Sequence, residues 1–489
     1  MSAYNLVVLG GGPAGILSAT RAASLGAKVA LVERKALGGV CLNVGCIPSK
    51  ALIATSRVIA DMRNARHFGA EPVKDLAIDF AAAMERARHV RARIARSAST
   101  EALESAGIEV FRGEAHFIDE RTVGVGDHTL RFQKALVATG ARPDPPTIPG
   151  LAEAGYLTYE NVFELRERPA HLLIIGGGPT GCELAQAFLR LGSRVTLVQD
   201  EPMFLRQEER DAAQILSDVF AREGMDIHLN TEVTSVRAEG PTKVVSLRSD
   251  DHESSVRVDA IFIGTGRVAN IEGLNLDAAG VEHDDTHGII VDDFLRTTNH
   301  RIYAAGDVCF EHKFVHIEDA SARIVVDNAL FLGRHRLSTL TIPWCTYTDP
   351  EIAHVGMYVR DACERGIPIK TFTVLMQDVD RAITDAEEDG FVKIHVREGG
   401  GEILGATVVA RHAGEMINDL CLAMTTKMGL GEIARVIRAY PTQAAAIQMA
   451  ANAWETSRET KTRKKLRAWW NALNLPSIAP RRKRSPVTP

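Results

Sequence analysis

Nowhere in these 489 residues does an apolar run without charge reach the ~18 residues that a membrane-spanning helix needs. An integral membrane protein built on spanning helices is therefore excluded. The N-terminus also lacks the basic flank and small-residue cleavage site of a secretory leader, since Met1 to Gly10 runs directly into an apolar strand pattern. Cysteine is too sparse for a disulfide framework: Cys41, Cys46, Cys182, Cys309, Cys345, Cys363 and Cys421 are an odd number scattered over a large chain. These absences point to the cytoplasm. The make-up, 45% hydrophobic and 24% charged, excludes collagenous and disordered chains, and the length allows two to four domains. Net charge is −5, but Lys461 to Pro489 holds nine Lys and Arg and no acid, which leaves −14 on the rest. The body lacks the positive field that nucleic acid requires, so no nucleic-acid partner is expected.

What is present is glycine in two ordered clusters. Asn5 to Leu9 reads as a short buried strand, Gly10, Gly12 and Gly15 form G-x-G-x-x-G at the start of a helix pattern, and Lys28 to Val32 reads as the next strand. Such glycines allow the tight turn and the close approach of a pyrophosphate to the helix N-terminus, where free N–H groups favour negative charge. Glu33, 23 residues after Gly10, is placed to accept from a ribose hydroxyl. The pattern recurs 166 residues later at Gly176, Gly178 and Gly181, between strands at Leu172 to Ile175 and Arg194 to Val198. Each unit is followed by a glycine turn, ending at Gly140 and Gly266. Two dinucleotide sites in one chain suggest electron relay between them. At the acid position the second unit carries Gln199, with Asp200 next and Arg206 beyond.

Shortly after Glu33 stands Cys41-Leu-Asn-Val-Gly-Cys46-Ile-Pro-Ser-Lys50. In this position the segment closely resembles the redox-active disulfide of the class I flavoprotein pyridine nucleotide-disulfide oxidoreductases, the family of lipoamide dehydrogenase, glutathione reductase and mercuric reductase. The resemblance extends from about residue 4 to 455 through Tyr303-Ala-Ala-Gly-Asp307-Val and Pro343-Trp344 to Glu351. It implies an α/β fold of two Rossmann-like dinucleotide-binding domains plus an α+β C-terminal dimerisation domain. The expected boundaries are FAD-binding 1–150 and 267–337, NAD(P)-binding 151–266, dimerisation 338–460, and a basic tail 461–489. It further implies FAD, NADH or NADPH, and a homodimer. Cys41 becomes the interchange thiol, Cys46 the thiol stacked on the flavin, Lys50 a lysine by flavin N5 paired with Glu183, and Asp307 a ribityl ligand.

The substrate end departs from part of that family. Where lipoamide dehydrogenase and glutathione reductase carry an acid-base histidine and the glutamate that orients it, this chain has Tyr440 and Ala445. A tyrosine of pKa ~10 is about one part in a thousand deprotonated at pH 7, so it cannot relay protons as histidine does. Tyrosine here resembles mercuric reductase, although no cysteine follows Cys421 to deliver metal. The expected activity is an NAD(P)H-dependent FAD oxidoreductase passing electrons through Cys41 and Cys46 to a small-molecule or thiol-bound acceptor, mercuric reductase-like. Alternatives are a quinone or other flavin-acceptor reductase, a dihydrolipoamide dehydrogenase-like enzyme, and a non-enzymatic redox partner at the membrane. Asp200 argues for NADH, because it would repel a 2′-phosphate.

No metal site is expected: His283 and His287 flank a turn, and His312 and His316 read as structural. Arg86, Arg88, Arg91, Arg93 and Arg96 read as a solvated helix face. In the tail, Leu466, Trp469, Trp470 and Leu473 share one helical face beside Lys464, Lys465 and Arg467, with Arg481 to Arg484 following. An interfacial helix on anionic lipid and a helix docked on the dimer both fit that pattern.

Overall fold

The computed structural model describes residues 2–71, 76–250, 252–310, 315–459 and 461–474. The basic cluster at Arg481 to Arg484 and His312 lie outside the described residues.

The apolar segment Ser2–Leu9 forms the central strand of the first sheet, where Leu6, Val7, Val8 and Leu9 are fully buried. It pairs in parallel with Val29–Glu33 on one side and His128–Val137 on the other, and Ile108–Arg112 extends the sheet beyond Val29–Glu33. Thr122–Val125 and Ala115–Asp119 add antiparallel strands at the far edge. Much later in the chain Ile302–Ala304 rejoins this sheet, parallel to His128–Val137. Between these visits the chain builds a second parallel sheet in the order Asp226–His228, Arg194–Val198, His171–Ile175 and Ala260–Ile263, flanked by a three-stranded antiparallel meander. Parallel strands with helical crossovers are buried on both faces, which explains their near-continuous aliphatic runs.

The C-terminal part is a five-stranded antiparallel sheet in the order Pro343–Thr346, Glu351–Gly356, Ile403–Ala410, Phe391–Arg397 and Ile369–Leu375. Helices Ala413–Thr425 and Ala445–Ser457 pack on it around Met416, Leu420, Ile447 and Trp454.

Buried charge ties this part to the second sheet's helices. Arg190, at the end of helix Pro179–Arg190, reaches Asp349 at 2.8 Å and also bonds Glu223. Glu208, 5% exposed, accepts from Trp344 Nε1 at 2.7 Å and from Tyr358 Oη at 2.8 Å. Removing one partner of such a buried pair strands the other charge and costs about 3–5 kcal/mol.

Candidate active site

The first glycine turn, with Pro179 and Thr180 of the second, lines one cavity of about 1110 Å³. In the first, Gly10 has φ +110° and a Cβ on Gly15 would stand 1.9 Å from the Gly10 carbonyl oxygen, so both positions require glycine. A Cβ on Gly12 would meet nothing nearer than 3.9 Å and would intrude where a phosphate must approach. Glu33 caps this turn: its two carboxylate oxygens accept from the backbone N–H groups of Gly11 and Lys35, both at 2.6 Å. Gly140, Asp307 and Gly10 line the same cavity. This cradle fits the diphosphate and ribose of FAD.

The second turn repeats the geometry. Gly176 has φ +104°, and a Cβ on Gly181 would lie 2.0 Å from the Gly176 carbonyl oxygen. Gln199 takes the role that Glu33 plays in the first, accepting from Gly177 N at 2.5 Å and donating to Asp200 at 2.8 Å. Gly178 has nothing but the Gly264 carbonyl near its absent Cβ, at 3.9 Å. Gly266, at φ +60°, sits against the Asp144 carbonyl and aims the following Arg267 into the cavity.

Cys41 lies on the short helix Gly39–Asn43, and Cys46 opens helix Cys46–Arg63 with Pro48 in its first turn. Asn43 Nδ2 ties the loop between them to the carbonyls of Leu37 and Gly39, both at 2.9 Å. The two cysteines are free thiols linked by a side-chain hydrogen bond. That bond pulls Cys46 below the ordinary thiol range and pushes Cys41 above it, with Lys50 and Arg267 adding positive potential at Cys46. A thiolate at a helix N-terminus beside a lysine is the arrangement that reactive cysteines use. One turn on, Lys50 Nζ lies 2.8 Å from Glu183 Oε2 and 4.6 Å above the Tyr347 ring. Burial alone would lower the lysine, but the charges of Glu183 and Cys46 carry it above its usual value. Glu183 also accepts from Tyr347 N at 2.9 Å.

Several residues in the cavity wall have no motif of their own. Arg267 pairs with Asp307 at 3.1 Å and lies over the Tyr159 ring, while Cys345 and Tyr347 enter from the C-terminal sheet. Arg267, following the named glycine turn, and Cys345 and Tyr347, in the quoted C-terminal segment, had a sequence neighbour to mark them; Tyr159 had none.

Tyr440 is outside this cavity: it is exposed, and its hydroxyl donates to Asp380 at 2.8 Å. His283 and His287 stand in a hairpin, with His287 held by Asp284, and His316 bonds the Pro343 carbonyl. Among the described residues no group of three or more His, Cys, Asp or Glu is arranged around a metal position. Of the arginines expected on a solvated face, Arg86, Arg93 and Arg96 are exposed, but Arg86, Arg88 and Arg91 also make contacts that expectation left out. Arg86 donates to the Ala51 carbonyl at 2.8 Å, Arg88 to that of Phe163, and Arg91 to Asn43 and Glu164, so the guanidinium groups clamp helix Phe80–Ala95 to the cysteine segment.

Two family profiles cover this architecture: pyridine nucleotide-disulphide oxidoreductase over residues 4–324, and its dimerisation domain over residues 342–451. The chain belongs to the pyridine nucleotide-disulphide oxidoreductase family. Within the family it is 35% identical over 453 residues to mercuric reductase of Streptomyces lividans, covering 92% of this chain and 95% of that one. It is 32% identical to dihydrolipoyl dehydrogenase of Chlamydia muridarum, covering 90% and 95%. The HOCl-induced flavoprotein disulfide reductase RclA from Escherichia coli superposes with a TM-score of 0.83 at 28% identity, covering 92% and 99%. Family membership makes the chain an FAD-dependent NAD(P)H oxidoreductase with a redox disulfide, and its dimerisation domain makes it a homodimer. No described helix is long and apolar enough to cross a membrane.

Proposed function

We propose that the enzyme passes electrons from NADH through FAD to Cys41 and Cys46 and on to a thiophilic metal ion such as Hg(II), held as a thiolate complex. The observation that carries this reading is a residue type: in sequence, Tyr440 replaces the acid-base histidine with which lipoamide dehydrogenase and glutathione reductase serve a disulfide substrate, and its hydroxyl is engaged with Asp380. Reducing a disulfide requires protons delivered to two leaving thiolates, whereas a soft ion bound between two thiolates requires only electrons. In balance, NADH and Hg(II) give NAD⁺, H⁺ and Hg(0).

FAD supplies acceptance of the nicotinamide hydride and a two-electron path to the cysteine pair. The protein's own contribution is positional. The glycine turns hold the two diphosphates, Glu33 receives the first ribose, and the 267–337 segment adds Asp307 to the FAD unit begun in 1–150. Lys50, fixed by Glu183, keeps positive charge beside Cys46 so that its thiolate persists at neutral pH. Cys41, by the family resemblance, is the thiol that exchanges with incoming ligand.

NADH is the proposed donor because Asp200 would repel a 2′-phosphate and Arg206, six residues beyond it, is engaged by Glu201 at 3.0 Å. The tail helix Lys461–Leu473, with Leu466, Trp469, Trp470 and Leu473 all exposed, is proposed to rest on anionic lipid. The deciding experiment is an acceptor comparison with NADH as donor: Hg(II) with excess thiol against lipoamide, oxidised glutathione and quinones. Hg(II) should be turned over fastest, and faster turnover of lipoamide or a quinone would refute the metal reading. Anaerobic titration should show uptake of four electrons, and uptake of two would mean an idle cysteine pair.

A further inference from the structure

Glu318 belongs to no recognisable motif, yet its carboxylate reaches the first glycine turn. It stands in the first turn of helix Val315–Leu330, is 9% exposed, and lines the large cavity. Its Oε2 accepts from Ala14 N at 3.1 Å. Ala14 is the second residue of helix Pro13–Ser24, whose N-cap is Gly12 and whose first-turn amides receive no side-chain cap from the turn itself. Those amides are the donors a G-x-G-x-x-G turn presents to a diphosphate. Gly306, at φ +82°, packs beside both groups: a Cβ there would lie 3.6 Å from the Glu318 carboxyl carbon and 3.5 Å from Ala14 Cβ. One buried amide thus faces two competing anions, a carboxylate from the protein and a phosphate from the cofactor. Two such charges do not coexist in a low-dielectric cavity, and the carboxyl is the group able to neutralise itself.

We propose that Glu318 makes FAD retention proton-linked: with the diphosphate seated, the side chain is a neutral carboxylic acid, and its ionisation drives the cofactor out. The groups facing it are Asp307 and Arg267 from neighbouring segments, Cys41 and Cys46 across the cavity, and Cys309. Arg267 is engaged with Asp307 and offsets only part of the rise at Glu318. Burial first, and Asp307's charge second, hold its carboxyl up at about 8. Below that pH the residue carries its proton whether or not FAD is bound, and affinity is constant. Above it the empty site loses the proton while the loaded site keeps it, so binding takes up one proton. FAD affinity then falls by up to about tenfold per pH unit.

The test uses purified holoprotein equilibrated between pH 6.5 and 9.5, with released FAD measured by fluorescence after ultrafiltration. The wild type should hold FAD equally well up to about pH 8 and about tenfold more weakly at 9.5 than at 8.5. Glu318→Gln, whose amide oxygen still accepts from Ala14, should show no such fall. A Glu318→Gln profile that tracks the wild type, or uniformly weaker retention at every pH, would overturn the proposal. Independently of any variant, calorimetry of FAD rebinding to the wild type at pH 9 in buffers of differing ionisation heat should report uptake of one proton. Uptake of none would overturn it equally.

Discussion

Lys50 and Glu183 are 133 residues apart in the chain and 2.8 Å apart in space, and this ion pair joins the cysteine helix to the second glycine helix. Lys50→Met should slow flavin reduction by NADH and raise the pH at which the Cys46 thiolate forms. It should also destabilise the protein by about 3 kcal/mol, because buried Glu183 is left with only the Tyr347 amide. Stopped-flow reduction and denaturant unfolding measure the two effects, and an unchanged unfolding midpoint would show that solvent reaches Glu183 freely.

Cys46→Ser should abolish the long-wavelength thiolate–flavin absorbance while FAD stays bound, since the proposed FAD cradle runs from Gly10 to Glu33 with Asp307, apart from Cys46. In the reduced wild type the same band should survive to a lower pH than the ~8.5 of an ordinary thiol, because a depressed value means the thiolate is present above it and lost only as pH falls through it. Spectra recorded from pH 9 downward settle this, and a band that fades near 8.5 contradicts the bond from Cys41.

Lipoamide and oxidised glutathione should be poor substrates, well below the tens to hundreds of turnovers per second of many enzymes. A steady-state assay that found rapid lipoamide turnover in the wild type would remove the proton-relay argument.

Asp200→Arg should move cofactor preference toward NADPH. A unit charge near 4 Å from a phosphate is worth ~1–4 kcal/mol between aqueous and protein-surface dielectrics, so a shift of tenfold or more in kcat/KM is expected. Equal kcat/KM ratios for the variant and the wild type would place the specificity elsewhere.

The chain ending at Glu459 should lose binding to anionic vesicles that the full chain shows, and the full chain's binding should weaken as salt rises. Co-sedimentation with vesicles of phosphatidylserine provides the measurement. Equal binding by both forms would acquit the tail.

The two glycine turns, Glu33 and the cysteine segment were legible because their chemistry is local: each needs a strand, a turn and a helix in immediate succession. The Lys50–Glu183 pair was legible only through family resemblance. Glu318 and Tyr159 were not, since each reaches the cavity through a tertiary contact between segments far apart in sequence. Arg88 and Arg91 of helix Phe80–Ala95 were misread for a related reason. Their periodicity looks like a solvent face, but a long aliphatic stem lets a guanidinium cap carbonyls on a neighbouring segment. Gln199 shows the opposite: its amide oxygen satisfies the same turn amide that a carboxylate satisfies in the first unit, so the loss of charge there left the geometry intact.

Arg190 carries a consequence for how the polypeptide can be divided. Its guanidinium is shared between Glu223 and Asp349, on either side of the junction that joins the second parallel sheet to the C-terminal sheet. A fragment ending before residue 338 would expose that cation without Asp349, and would uncover Gln186 and Glu208 along with it. The nucleotide-binding portion expressed alone should therefore be sticky and short-lived, and co-expressed halves should find each other through this seam rather than remain two independent proteins.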